Sequence, residues 1–179
     1  MSFHKPLLLL LFLALTACDD LYPDGDDKRT PVDTTTVGAQ VGQIAPEFAL
    51  FDTQGNTVTM SVELASVDAI VLYFTMWCPI CDAHMTHLRT QVMPNYPNVR
   101  FLIVDFVSGT VADSLLAQEN NGYTDLTVLV DNTQEVKILY EATMGTTVVI
   151  RNDGGQGTIL MNEYYKDSVK LTQSLDSLP

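Results

Sequence analysis

Ala69–Thr75 (Ala-Ile-Val-Leu-Tyr-Phe-Thr) is an unbroken apolar, β-branched and aromatic run, the pattern of a strand buried in a sheet. The period then changes. Met85, Leu88 and Val92 recur at helical spacing, and Pro94 stops the helix, which the pattern starts at Cys78. Residues 100–104 read as a second buried strand. Residues 112–119 read as a helix with Leu115 and Leu116 inward, closed by Asn120-Asn121-Gly122. A third strand at 126–130 and a short helix at 134–140 follow. Two strands, 147–150 and 158–161, flank the hairpin signal Asn152-Asp153-Gly154-Gly155. Residues 168–178 close the chain as a helix with Val169, Leu171 and Leu175 on one side. Upstream, 52–56 reads as a turn from which 57–60 returns as a short strand. Strands alternating with helices, then a hairpin and a helix, predict an α/β fold. Its mixed central sheet carries helices on both faces and an N-terminal β-hairpin extension.

The first forty residues break this pattern. Residues 1–17 read as a targeting segment, with His4 and Lys5 as a weakly positive start and an apolar stretch at 7–15 too short to span a membrane. Leu15-Thr16-Ala17-Cys18 resembles a bacterial lipobox, which implies that Cys18 becomes the acylated N-terminus of an exported, membrane-anchored protein. In 18–40, Asp19, Asp20, Asp24, Asp26, Asp27 and Asp33 alternate with Pro23, Gly25, Pro31 and a threonine run. Burial cannot offset ordering entropy there, so a disordered, acidic tether is expected, with the folded domain at 41–179. The net charge of −13 argues against nucleic acid and against electrostatic adhesion to anionic lipid.

Candidate chemistry lies at Trp77-Cys78-Pro79-Ile80-Cys81, where the buried strand hands over to the helix. Two cysteines three residues apart share one face of a first helical turn. Pro79 suits a position whose N–H has no helical partner. A helix N-terminus favours a thiolate, so the outer cysteine, Cys78, is the expected nucleophile. A single Cys-x-x-Cys is also half a zinc site, but no second one completes it here.

Strand, Trp-Cys-Pro-x-Cys and helix together resemble the thioredoxin superfamily, specifically membrane-tethered thiol–disulfide oxidoreductases of the TlpA/ResA type within the redoxin group. Val41-Gly42-Gln43-Ile44-Ala45-Pro46-Glu47-Phe48-Ala49-Leu50 resembles the segment that opens redoxin domains. The resemblance implies that Cys78 attacks a substrate disulfide, that Cys81 resolves the mixed disulfide, and that the two pair as a Cys78–Cys81 disulfide. It implies partner proteins bearing thiols or disulfides in the cell envelope and no organic cofactor. Trp77, Pro79, Met144, Gly145 and Thr146 would shape the site.

Departures from the family pattern sharpen these expectations. Leu72 stands where an acidic or amide residue is common, so another group or water must deprotonate Cys81. His84 and Thr86 replace a Glu and a Pro, which removes the usual cause of a helix kink. Aligned on Thr146, Thr147 and Ile150, Gly145 takes the place of a cis-proline and Arg151 that of an aspartate. The glycine is expected to favour a trans peptide, to leave room above both cysteines and to weaken capture of a peptide. On that reading Gly145→Pro restores exchange.

Three other readings stay open. Cys78 and Cys81 with Met144 or Met76 would suit Cu(I), which prefers thiolate and thioether, as in a metal chaperone. His84 and His87 cannot join both cysteines on one ion in a regular helix, because His87 lies nearly opposite Cys78. A peroxidase would need Pro-x-x-x-Thr-x-x-Cys; Thr75 fits, but Val71 stands in place of the proline. The third is a thioredoxin fold kept for binding alone.

Overall fold

The computed structural model describes residues 30–166 and 168–179. The targeting segment, Cys18 and most of the tether lie outside these. Seven strands form one sheet: β1 (Ala49–Asp52), β2 (Thr57–Thr59), β3 (Ala69–Thr75), β4 (Val99–Asp105), β5 (Thr127–Val130), β6 (Thr146–Asp153) and β7 (Gln156–Tyr164). Their order is β2-β1-β5-β4-β3-β6-β7. β3, β4 and β5 run parallel, while β6 and β7 on one side and β1 and β2 on the other are antiparallel to their neighbours. The described helices are α1 (Met60–Leu64), α2 (Pro79–His87), α3 (Val111–Asn120), α4 (Glu135–Leu139) and α5 (Val169–Asp176).

All of β3 is buried, and its period-two alternation feeds two separate cores. Ile70, Leu72 and Phe74 join α1, α4 and Phe48 on one face. Ala69, Val71 and Tyr73 join Met85, Leu88 and Val92, together with Leu171 and Leu175 of α5, on the other. The mixed sheet with helices on both faces and the N-terminal hairpin of β1 and β2 are therefore as expected. The turn between β6 and β7 is built by Gly154 and Gly155, whose φ values of 70° and 95° suit only residues free of a Cβ penalty.

Several expectations are corrected. Residues 33–40 are not tether. Asp33 caps a turn by accepting the Thr35 N–H at 2.9 Å, Val37 bridges Ile44, and Ala39 is buried. The next few residues then pair with the outer edge of β7: Gly42 donates to Ile159, Ala45 donates to Gly157, and Ile159 donates to Gln43. Local side-chain hydrogen bonds and an open strand edge order a segment whose composition lacks bulk. Met60 opens a helix rather than ending β2, because its side chain is buried with Leu64 against the sheet.

In α3 the inward residues are Ser114 and Gln118, while Leu116 is 57% exposed. Gln118 is held inside by Thr53 Oγ1, which donates to it at 2.6 Å, and by the Tyr123 and Leu126 carbonyls, to which it donates at 2.8 Å each. A fully paired amide outcompetes leucine for that face. Likewise Leu171 and Leu175 are buried in α5 but Val169 is 54% exposed. Without the family proline, α2 still loses its regular form: it widens to a π-turn over Leu88–Val92 and tightens to a 3₁₀ turn over Met93–Asn95.

Candidate active site

The site forms where β3 ends and α2 begins. Cys78 is the N-cap of α2 rather than its first helical residue, with extended backbone, and Pro79 is the first helical residue. As a cap, the Cys78 sulfur accepts the Cys81 N–H at 3.3 Å. The two sulfurs lie 2.8 Å apart as free thiols, Cys78 half-buried and Cys81 fully buried. Burial pushes the Cys81 thiol up. Hydrogen bonds from the Cys78 thiol, the Met76 and Cys78 backbone and the Thr75 hydroxyl outweigh it and bring Cys81 below its ordinary value.

Trp77 sits in the left-handed region at φ 55°, unusual for a bulky side chain. Two hydrogen bonds hold it there. Its N–H donates to Thr75 Oγ1 at 3.1 Å, and its indole Nε1–H donates to Asp105 Oδ2 at 2.8 Å. Asp105 is itself buried at the end of β4, and its Oδ1 accepts the Val107 and Ser108 N–H groups at 3.0 and 3.1 Å. The Trp77 ring lies 6.4 Å from the Tyr123 ring, beside the cysteines.

An aromatic cluster walls the other side of α2. The Tyr73 hydroxyl lies 3.0 Å from His84 Nδ1. Tyr73 is held far above the ordinary phenol range, first by burial and then by the charge and hydrogen bond of Cys81. His84 packs against Tyr165 at 4.8 Å and Tyr164 at 5.7 Å. Burial, and then the neighbouring His87, lower His84 below the ordinary imidazole value. The Tyr165 hydroxyl in turn lies 2.8 Å from His87 Nδ1.

Gly145 corrects an expectation. A Cβ on it would stand 2.5 Å from Cε2 of Tyr164, whose ring packs against the glycine. Its φ is 80°, its N–H donates to the Phe74 carbonyl at 2.8 Å, and its carbonyl accepts the Tyr165 N–H at 2.8 Å. A proline fits neither that φ nor that donor, so Gly145→Pro cannot be the simple restoration expected. No peptide bond among the described residues is cis. Thr146 is buried, and its hydroxyl accepts the Thr143 N–H at 2.9 Å. Met144 packs against the core on the face away from α2, and Met76 is 45% exposed. The described residues hold no group of three or more His, Cys, Asp or Glu side chains suited to a metal.

The structure thus brings Trp77, Cys78, Pro79 and Cys81 together, with Gly145 one hydrogen bond from Phe74. Sequence reasoning missed Tyr73, Asp105, Tyr164 and Tyr165. Asp105 carried a signal, an acid closing a buried strand at the sheet's carboxyl end, where sites of α/β folds lie. The tyrosines carried none, because each looks like core.

No curated protein matches the chain. Solved structures do. A thioredoxin-like protein from Aeropyrum pernix is 14% identical with a TM-score of 0.58, over 74% of this chain and 89% of that one. A secreted Mycobacterium tuberculosis disulfide oxidoreductase homologous to E. coli DsbE is 21% identical with a TM-score of 0.55, over 73% and 96%. Peroxidoxin BcpB from Mycobacterium tuberculosis is 19% identical with a TM-score of 0.58, over 76% and 94%. At such identities the likeness establishes a thioredoxin-like fold. The profile of the AhpC/TSA family matches residues 41–155, from the segment that covers the β7 edge to the turn between β6 and β7, and this chain belongs to that family.

Proposed function

We propose that the protein is a thiol–disulfide oxidoreductase of the cell envelope, anchored through acylated Cys18 and exchanging disulfides with partner proteins. Cys78 attacks the partner's disulfide, Cys81 resolves the mixed disulfide, and the product is a Cys78–Cys81 disulfide. The observation that carries this reading is the pair itself: one sulfur half-exposed at a helix N-cap, its partner fully buried 2.8 Å away. Such an arrangement separates an attacking thiol from a resolving one. Trp77, Pro79, Gly145 and Thr146 shape the approach to Cys78, with Tyr164 as the side chain facing Gly145. Thr75 accepts the Trp77 N–H, and Val71 stands where the peroxidase motif has its proline, so the peroxidase reading is not favoured. Among the described residues no helix is long and apolar enough to cross a membrane. The proposed anchor is the lipid on Cys18.

The test is a trap. Cys81→Ala protein expressed in the envelope should accumulate partners on Cys78 as mixed disulfides, released by dithiothreitol. Failure to form any, together with a Cys78–Cys81 pair that neither oxidises nor reduces against a glutathione series, would leave only a binding module.

A further inference from the structure

The chain has three histidines, and two of them, His84 and His87, fall three residues apart in the last turn of α2. That spacing puts them about 60° apart around the helix, with Cβ atoms about 5–6 Å from each other. Tertiary packing then draws both rings to one side. Each lies against the same side chain, Tyr165, with ring centroids 4.8 Å away for His84 and 6.1 Å for His87. Each also has its Nδ1 engaged by a tyrosine hydroxyl, Tyr73 for His84 at 3.0 Å and Tyr165 for His87 at 2.8 Å. No described residue hydrogen-bonds either Nε2, and neither Nε2 is buried. The disulfide exchange proposed above uses neither histidine.

An imidazole whose Nδ1–H donates to an oxygen carries its lone pair on Nε2, with its ring fixed in place. That is the usual setting of a metal-ligating histidine. We propose that His84 and His87 form a two-point site, through their Nε2 atoms, for a borderline divalent cation such as Zn²⁺. Imidazole nitrogen suits Zn²⁺, Cu²⁺ and Ni²⁺, whereas Ca²⁺ and Mg²⁺ take oxygen. Among the described residues no third His, Cys, Asp or Glu joins the pair, so water completes the coordination and the ion stays exchangeable. The cysteine pair is not part of the site, because His87 lies on nearly the opposite side of the helix from Cys78. A bound ion would tie together the last regular turn of α2, immediately before it widens at Leu88.

Calorimetric titration of Zn²⁺ into Cys78→Ser/Cys81→Ser protein, purified without a histidine tag, tests the site with both thiols of the pair removed. One ion per chain should bind. In that background His84→Ala and His87→Ala should each weaken binding by at least about tenfold. Tyr165→Phe, which removes only the hydroxyl that orients His87, should weaken it by about tenfold or more. His4→Ala should change nothing. In the unsubstituted protein Zn²⁺ should move the Nε2 resonances of both histidines and leave each Nδ1 protonated, a readout by nuclear magnetic resonance that needs no variant to fold. Binding that survives both alanine variants, no binding up to about 1 mM Zn²⁺, or unmoved Nε2 resonances overturns the site. So does binding to the unsubstituted protein that the double-serine protein has lost, because the cysteines then hold the ion.

Discussion

Trp77 is the chain's single tryptophan, and its unusual backbone is held by the Thr75 hydroxyl and, through the indole, by the Asp105 carboxylate. Asp105 spends one oxygen on the indole and the other on two backbone N–H groups, so three donors converge on a buried acid. Asp105→Asn has a single acceptor oxygen and must turn its own NH₂ toward one of those donors. Hydrogen bonds to charged groups contribute about 1.5–3 kcal/mol, so a loss of about 2–3 kcal/mol in unfolding free energy is expected. The emission of Trp77 should shift at the same time, which ties the loss to this contact. Denaturant unfolding followed by tryptophan fluorescence measures both. Stability within about 0.5 kcal/mol of the original, the range for surface substitutions, would mean that Asp105 does not hold the indole.

At the scale of elements, the start of β6 and the end of β7 close over one another. Gly145 and the Tyr164 ring are in contact, with register pairing Thr146 to Tyr164. Gly145→Pro loses the N–H that serves Phe74 and forces φ from 80° to a negative value, so a cost of about 3 kcal/mol or more is expected. Gly145→Ala separates two causes. In the unsubstituted background it meets both the positive φ and the tyrosine ring, whereas with Tyr164→Ala only the φ remains, about 1–2 kcal/mol. A double-mutant cycle by thermal unfolding should therefore show a coupling above about 0.5 kcal/mol. Additive losses would mean that Tyr164 yields freely and that the space above Gly145 is open after all.

For the whole molecule, the described fold reaches back to about residue 33, and the β7 edge is covered by the segment around Gly42–Ala45 rather than left to pair with another chain. The proposed anchor lies before that point, and with a net charge of −13 such an anchor would act through its lipid rather than through electrostatics. Protein from an envelope fraction should thus partition into detergent with a mass increase at Cys18, and Cys18→Ser should move it to the aqueous phase. Cys18→Ser protein that stays in the detergent phase would remove the anchor. The sequence alone determined the order of strands and helices, because β3, β4, the turn between β6 and β7 and the start of α2 are written in short-range periodicity and turn chemistry. It also determined the Cys-Pro-Ile-Cys pair at the handover from β3, since that signal is local. It misassigned Leu116, Val169 and residues 33–40, whose burial depends on which partner competes for a face. Only the tertiary structure decided what surrounds the pair. Tyr73 and His84 stand eleven residues apart, Trp77 and Asp105 twenty-eight, and Gly145 meets Tyr164 across a hairpin. Contacts at such separations leave no periodic trace in the chain, because packing of the sheet against α2, not local propensity, brings them together.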